Sequence, residues 1–152
     1  MVAINEDPEV TRYLNRSVDP AAAAAVYERL TAHWEEHAFG FWAVQSREGE
    51  LADRLLGFVG VAYPAFLPEL AARPEIGWRL ARDAWGRGLA TEAAIAARDH
   101  ALGRLGLSEL ISIIHPDNRR SQRVAAKLGM TVERLVHSPG IGREAEVWSS
   151  KG

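Results

Sequence analysis

The stretch DAWGRGLATEA, from Asp83 to Ala93, is the segment on which the prediction of the fold depends. It sets two glycines, Gly86 and Gly88, on either side of one arginine and then continues in residues that favour helices. Two glycines so close together weaken any regular element, so a turn must need them. The pattern therefore predicts a tight turn that opens directly into a helix.

A strand, a glycine turn and a helix in this order form a candidate anion site. The first N–H groups of a helix have no partner inside it, and the helix dipole adds partial positive charge there. A glycine also lets a phosphate approach the backbone without a Cβ in the way. The stretch does not match the Walker pattern, and it lacks the third glycine of the Rossmann fingerprint. From these residues alone, a plain turn beside a surface arginine remains the alternative.

Around that turn the sequence alternates between strand and helix patterns. Strands are predicted at 41–46, 55–63, 75–81, 109–115, 131–138 and 143–150, with 139–142 as the hairpin turn between the last two. Helices are predicted from Asp7-Pro8, from Asp19-Pro20 up to Gly40, at 89–102 and at 118–130. The strand 55–63 is apolar on both faces and is expected to be central. This order predicts a single domain of mixed α/β class over residues 1–152.

Composition excludes several kinds of protein. Of the 152 residues, 47% are apolar and 25% are charged, which is typical of a globular domain. The chain has no cysteine, so disulfides, thiolate zinc sites and a cysteine nucleophile are excluded. A formal charge of −2 gives no electrostatic reason to expect nucleic acid or a membrane as partner. No signal peptide or apolar membrane span is recognised, and we expect a cytoplasmic protein.

Two motifs at a fixed separation resemble the GNAT acyltransferase superfamily. EIGWRLARDAWGRGLATEA is followed by a strand and then by HPDNRRSQRVAAKLGM. The family's acyl-CoA signature is a glycine pair one residue apart that enters a helix, here Gly86 and Gly88. Its later signature is an asparagine, a serine three residues on, an apolar residue and Leu-Gly-Phe. The matching residues here are Asn118, Ser121, Val124 and Leu128-Gly129-Met130. The resemblance runs from about residue 3 to residue 148 and is greatest to the ribosomal-protein N-terminal acetyltransferases.

The resemblance implies a GNAT-like fold and a place for acyl-CoA. The family has one mostly antiparallel sheet with helices on both faces, and acyl-CoA lies in a V-shaped gap between two splayed strands. The backbone of 78–80 would bind the pantetheine arm, and the N–H groups of 85–90 would hold the pyrophosphate. The implied cofactor-binding residues are Trp78, Leu80, Arg82, Trp85, Gly86, Arg87, Gly88, Leu89, Ala90, Thr91, Asn118 and Ser121. Arg82 and Arg87 are alternatively solvated surface arginines, and Asn118 also fits an ordinary N-cap.

The activity implied by the resemblance is transfer of an acetyl group from acetyl-CoA to a primary amine by direct attack, without a metal. Glu75, which begins the strand beside the gap, is the candidate base, and pairing with an arginine is its alternative role. Ser121 matches a residue that some members are thought to use near the leaving sulfur, although it can also bond to the helix backbone. Many members place a tyrosine acid where this chain has Trp148, which cannot donate that proton usefully.

The sequence also departs from the family at its start. Family members open with a β-strand, whereas MVAINEDPEV is expected to begin inside the first helix. Without that strand, FWAVQS at 41–46 would be an apolar sheet edge, and such edges pair readily with another chain. We therefore predict a homodimer formed through this edge.

Other functions and sites remain open from the sequence. The chain can be a CoA-binding protein without turnover, or a phosphate-binding module unrelated to acyl-CoA. His33 and His37 lie four residues apart but lack the glutamate of a metalloprotease motif, so a solvated helix face is expected there. Five aromatic residues can line an acceptor pocket or belong to the core: Trp42, Phe58, Tyr63, Phe66 and Trp78. The acceptor can be a peptide N-terminus, an amino acid, a polyamine or an aminoglycoside.

Overall fold

The computed structural model describes residues 2–14, 20–47, 49–138 and 143–150. The helices are α1 (Val2–Glu6), α2 (Pro8–Thr11), α3 (Pro20–His37), α4 (Leu89–Asp99) and α5 (Arg119–Lys127). The strands are β1 (Phe41–Gln45), β2 (Leu55–Ala62), β3 (Glu75–Leu80), β4 (Ile111–Ile114), β5 (Thr131–Ser138) and β6 (Arg143–Ser149). Within these ranges, no helix has the length and apolar character needed to cross a membrane.

All six strands form one sheet in the order β1-β2-β3-β4-β6-β5. Every neighbouring pair is antiparallel except β3 and β4, which are parallel. On β2, Leu56, Val59 and Val61 are buried, which confirms that the continuous apolar run is an interior strand. The closing strands 131–138 and 143–149 pair as predicted, but their turn at 139–142 lies outside the described residues.

The two parallel strands are held together only at their beginnings. Their register has a single pair, Glu75 with Ile111, and the Ile111 N–H donates to the Pro74 carbonyl at 2.9 Å. Just before β3, Arg73 bonds to Glu133 at 2.8 Å and to Glu109 at 2.9 Å. Those hydrogen bonds raise the pKa of Arg73 above its ordinary value. Beyond this closed end β3 and β4 separate, so the predicted V-shaped gap is present.

Helices cover both faces of the sheet. The helix α4 packs on one face, where Ile76 and Trp78 of β3 share a hydrophobic cluster with Ala94 and Ala97. Because side chains alternate along a strand, Arg79 points to the opposite face, where it donates to Asn5 Oδ1 of α1 at 2.7 Å. The predicted mixed α/β fold, with a splayed sheet between helices, is therefore confirmed.

Element ends differ from the prediction in several places. The helix α3 ends at His37, and Ala38 rather than Gly40 adopts the left-handed conformation that follows it, with φ +59°. The helix after the glycine turn is regular only to Asp99 and continues as a wider turn over His100–Arg104. The chain begins in a helix, as expected, but this helix α1 ends at Glu6 and is separate from the one that starts after Asp7. The predicted cap Asp19 lies outside the described residues.

His33 is part of the packing, so the expectation of a solvated helix face is wrong for this residue. Its Nδ1 lies 2.8 Å from the Phe39 carbonyl, and its Nε2 accepts from the Tyr63 N–H at 3.1 Å. These two bonds place the proton on Nδ1, and burial lowers the pKa of the ring. His33 thus joins α3 to the segments before β1 and after β2. In the described part of the chain, no three His, Asp or Glu residues form a group able to hold a metal ion.

Candidate functional site

The glycine turn predicted from the sequence links β3 to α4. After Leu80 the chain makes a short 3₁₀ turn at Arg82–Ala84, and the glycines follow directly. Gly86 has φ +75° and Gly88 has φ +80°, in the left-handed region that glycine adopts without strain. A Cβ atom on either glycine would meet no other atom within 4 Å. Both positions therefore open onto free space at the start of the helix.

The beginning of α4 presents backbone donors that the helix itself does not use. The first hydrogen bond of the helix runs from the Glu92 N–H to the Gly88 carbonyl at 3.0 Å. The N–H groups of Leu89, Ala90 and Thr91 consequently lie outside the helical ladder, and Gly88 offers no side chain to cap them. With the helix dipole, this is an arrangement that binds anions.

The backbone of β3 also faces the gap in an alternating pattern. The Ala81 N–H bonds to the Leu56 carbonyl of the neighbouring strand at 2.7 Å, so odd-numbered residues of β3 face β2. Ile76, Trp78 and Leu80 accordingly turn their backbone groups toward β4, where the strands have separated. The Leu80 carbonyl is already engaged, because it accepts from Trp85 Nε1 at 2.9 Å. This leaves the backbone N–H and carbonyl of Trp78, and the N–H of Leu80, facing the gap.

The other wall of the gap leads into α5. Asn118 caps this helix, as its alternative role predicted, because its Oδ1 accepts from the Ser121 N–H at 3.2 Å. Ser121 is half-buried in the first turn. Just before the cap, His115 accepts from the Asp117 N–H at 3.1 Å, and its side chain is 12% exposed. The motif residues Asn118 and Ser121 are therefore positioned where β4 enters α5.

A network that the sequence did not reveal fixes this loop. The amide of Gln122 donates to the Pro116 carbonyl at 2.6 Å and to Glu146 Oε2 at 3.1 Å. Trp148 Nε1 donates to the same oxygen at 2.9 Å. The indole of Trp148 thus helps to hold the Glu146 carboxylate beneath α5. No sequence pattern predicts that Gln122 contacts Glu146. The contact forms because β6 lies next to β4 in the sheet, and α5 follows β4.

Glu75 lies at the closed end of the gap. It is half-buried as the first residue of β3, between Ala62 of β2 and Ile111 of β4. By alternation its side chain shares a face with Arg79, which is the face that α1 covers. The two catalytic candidates therefore belong to opposite walls, with Glu75 on β3 and Ser121 at the start of α5.

The two arginines predicted near the phosphates are both paired. Arg82 Nε lies 3.0 Å from Asp7 Oδ2, and Arg87 Nη2 lies 3.9 Å from Glu50 Oε2. Both arginines are at least half exposed, so each pair is worth little on its own. A third cation, Arg120, contacts the turn from α5 and was not predicted from the sequence. The guanidinium carbon of Arg120 lies 4.2 Å from the centre of the Trp85 ring.

The first two helices span the open end of the gap on the face opposite α4. Besides the bond between Asn5 and Arg79 on β3, the Tyr13 ring lies 5.0 Å from the His115 ring after β4. The segment 2–14 therefore contacts both strands that border the gap. This wall was not anticipated from the sequence, because the contacts join residues far apart in the chain.

The five aromatic residues considered for an acceptor pocket do not come together. Trp42, Tyr63 and Trp78 pack against the core cluster below α4. Phe58 lies on the other face beneath the Arg79 guanidinium, at 5.2 Å, and Phe66 is 45% exposed in the loop before β3. A cleft of ≈ 430 Å³ runs between α4 and the edge strand β1 and reaches Leu89 at the start of the helix.

Comparison with known protein families gives one model over most of the chain. Residues 1–131 match the family described as an acetyltransferase (GNAT) domain. The uncharacterized protein YkkB of Bacillus subtilis is 31% identical over 139 residues, which are 86% of this chain and 73% of that protein.

Solved structures share the same architecture. An acetyltransferase from Agrobacterium tumefaciens has a TM-score of 0.77 and 27% identity, covering 96% of this chain and 79% of its own. A ribosomal-protein-S5-alanine acetyltransferase from Vibrio fischeri has a TM-score of 0.69 and 17% identity over 97% of this chain and 85% of its own. The acetyltransferase yncA from Salmonella typhimurium, solved with its cofactor acetyl-CoA, also scores 0.69 at 17% identity, over 97% and 84% of the two chains.

Proposed function

The chain belongs to the GNAT acetyltransferase family, and on that basis we propose that it transfers an acetyl group from acetyl-CoA to a primary amine. The observation that carries the proposal is the coincidence of the motif with the geometry. The glycine pair that marks acyl-CoA binding in the family opens onto the unused N–H groups of α4, beside the one place where the sheet separates.

In this proposal the diphosphate of CoA lies on the start of α4. Leu89, Ala90 and Thr91 offer their N–H groups, and Gly86 and Gly88 leave the space that a phosphate needs. The pantetheine arm runs along β3 toward its closed end and bonds to Trp78 and to the Leu80 N–H. Asn118 contacts the same arm with the amide atoms that its capping bond leaves over. Such a path leads the thioester toward Glu75.

The acceptor nitrogen must lose two protons, one before attack and one after it, and the sulfur must gain one. Glu75 takes a proton from the ammonium group of the acceptor, directly or through water, and an α-amine with a pKa of about 8 needs little help. The amine nitrogen attacks the thioester carbon, and gap-facing N–H groups stabilise the oxygen as it becomes negative. The C–S bond then breaks, the nitrogen gives up its second proton to water, and the thiolate receives a proton from water or from Ser121, whose hydroxyl takes a proton back from water. A thiol of pKa about 8.5 leaves readily, so no tyrosine acid is required.

The acceptor is proposed only as a primary amine of a peptide or of a small molecule. A similar structure carries the name ribosomal-protein-S5-alanine acetyltransferase, and another is named spermidine N-acetyltransferase. These two names belong to different acceptor classes, which is why both remain in the proposal. The runner-up is a CoA-binding protein of the same fold without turnover, favoured by Trp148 in place of a tyrosine.

Calorimetric titration tests the proposal first. We expect micromolar binding of acetyl-CoA and of CoA and no binding of ATP, because ATP lacks the pantetheine arm that the gap receives. Release of free thiol in the presence of a panel of peptide and small-molecule amines then separates the enzyme from the binding protein. Absence of binding to acetyl-CoA and CoA would refute both. Binding of ATP equal to that of CoA would favour a general phosphate module.

We also propose that β1 pairs with β1 of a second copy. The Val61 N–H bonds to the Gly40 carbonyl at 3.2 Å, so even-numbered residues of β1 face β2 and Ala43 faces outward at the sheet edge. Trp34 Nε1 donates to the outward carbonyl of Phe41 at 3.2 Å, which leaves the strand centre as the pairing region. The strand carries no charge that would discourage pairing.

Light scattering over a range of concentrations tests this pairing. We expect a dimer whose fraction rises with concentration, and we expect Ala43→Lys to yield a monomer because a charge at the centre of the edge opposes pairing. Ala72→Lys, which adds the same charge in an exposed loop, should leave the dimer intact. A wild-type chain that stays monomeric at every concentration would contradict the proposal.

A further inference from the structure

The helix α5 carries positive charge that no ion pair among the described residues neutralises. Its sequence RRSQRVAAK contains Arg119, Arg120, Arg123 and Lys127 and no acidic residue. In the ion pairs among described residues, Arg73, Arg82 and Arg87 each have a carboxylate partner, whereas Arg120 takes part in none. An excess of this kind on a chain with net charge −2 needs an explanation.

The position of Arg120 is fixed by an aromatic ring and not by a carboxylate. Its guanidinium lies over Trp85 at 4.2 Å from the ring centre. Trp85 is itself held by the bond from its Nε1 to the Leu80 carbonyl at 2.9 Å. An arginine stacked on a ring keeps all its N–H donors at the edge of the guanidinium plane, where a phosphate can reach them. The stack therefore holds a preorganised donor group.

The same contact bridges the two sides of the gap. Trp85 immediately precedes Gly86 in the turn after β3, while Arg120 belongs to the first turn of α5 after β4. Arg120 thus lies next to the turn that would receive the diphosphate, but it reaches that place from the opposite wall. A further phosphate of the same ligand, close to the diphosphate but not bound by the N–H groups of α4, would meet the Arg120 guanidinium.

CoA carries such a group. Besides its diphosphate it has a 3′-phosphate on the ribose, a monoester with a charge of about −1.5 to −2 near neutral pH. The N–H groups of α4 serve the diphosphate and supply no full charge, so the monoester needs a side-chain cation. We propose that Arg120, stacked on Trp85, binds the 3′-phosphate and makes the site prefer CoA to 3′-dephospho-CoA. This inference rests on the proposed function and names the group that selects its cofactor.

The test compares titrations of CoA and 3′-dephospho-CoA on three proteins: wild type, Arg120→Ala and Lys127→Ala. Lys127 carries the same charge on the same helix, about 10 Å further along at 1.5 Å per residue, and so controls for the general field. We expect wild type to prefer CoA by about tenfold or more, the typical effect of a charge-assisted bond. Arg120→Ala should lose that preference because its affinity for CoA falls while its affinity for 3′-dephospho-CoA stays the same. Lys127→Ala should keep the preference.

Each other outcome has a distinct meaning. Equal weakening of both ligands by Arg120→Ala would overturn the inference and assign the residue to the diphosphate. If Lys127→Ala loses the preference for CoA as much as Arg120→Ala does, the inference is overturned, and the general positive charge of α5 accounts for the preference. If wild type binds both ligands equally, the inference fails while the proposed function stands. If wild type binds neither ligand, the proposed function fails as well. Unchanged melting temperatures establish that the variants are folded.

Discussion

Replacing Gly88 by valine is expected to reduce acetyl-CoA affinity at least a hundredfold, to the limit of detection by calorimetry. Two physical effects act together. Gly88 has φ +80°, where a residue with a Cβ is strained by about 1–2 kcal/mol. The added side chain would also extend into the free space before α4, which is the space that the diphosphate would occupy.

A second glycine separates strain from lost binding. Gly106 has φ +67°, and a Cβ there would also meet no atom within 4 Å. It lies beyond the C-terminal end of α4, at the opposite end of this helix from Gly88. Gly106→Val should lower the melting temperature about as much as Gly88→Val while acetyl-CoA binding persists. Normal binding by a folded Gly88→Val protein would show that the site has been assigned to the wrong turn.

Changing Glu75 to glutamine is expected to lower kcat by about 10²–10⁴-fold while the Kd for acetyl-CoA stays within about twofold of wild type. The amide keeps the size of the side chain but cannot accept a proton from the ammonium group. Glu75 stands at the closed end of the gap, away from the helix start that would hold the phosphates, so its loss should not affect cofactor binding. Initial rates of thiol release, measured with the best amine of the panel, give kcat.

Glu69→Gln provides the matched control. Glu69 lies in the loop before β3, is 54% exposed and pairs with Arg134 at 3.5 Å, so the same chemical change there should leave kcat unaltered. If Glu75 serves only to hold the strand, its variant would show a lower melting temperature with undiminished kcat. That result would remove Glu75 from the mechanism and would make a solvent molecule the proton acceptor.

Local chemistry in the sequence was enough to predict most elements of this fold. Asp7 before Pro8 predicted a helix start, and the Asp7 carboxylate indeed accepts from the Glu9 N–H at 2.9 Å. The glycine pair predicted the turn into α4, and Asn118 predicted the start of α5. These signals are readable because a cap or a positive φ is decided by residues within one turn of chain. Helix ends were less predictable, as Ala38 shows, since His33 of α3 bonds to Phe39 and Tyr63, which lie beyond the helix.

The features of the candidate site also fall into those set by neighbouring residues in the sequence and those set by contacts between distant parts of the chain. The glycine turn and the positions of Asn118 and Ser121 follow from short-range patterns, because each depends on its own helix start. The separation of β3 from β4 could not be read from either strand, since Arg73 ties their beginnings to Glu109 and Glu133 while the backbone pairing of the two strands stops at Glu75 and Ile111. The stack of Arg120 on Trp85 and the support of α5 by Glu146 likewise join residues from distant parts of the chain. Such contacts exist only after the sheet has set its strand order, which brings β6 beside β4 and both gap walls within reach of one side chain.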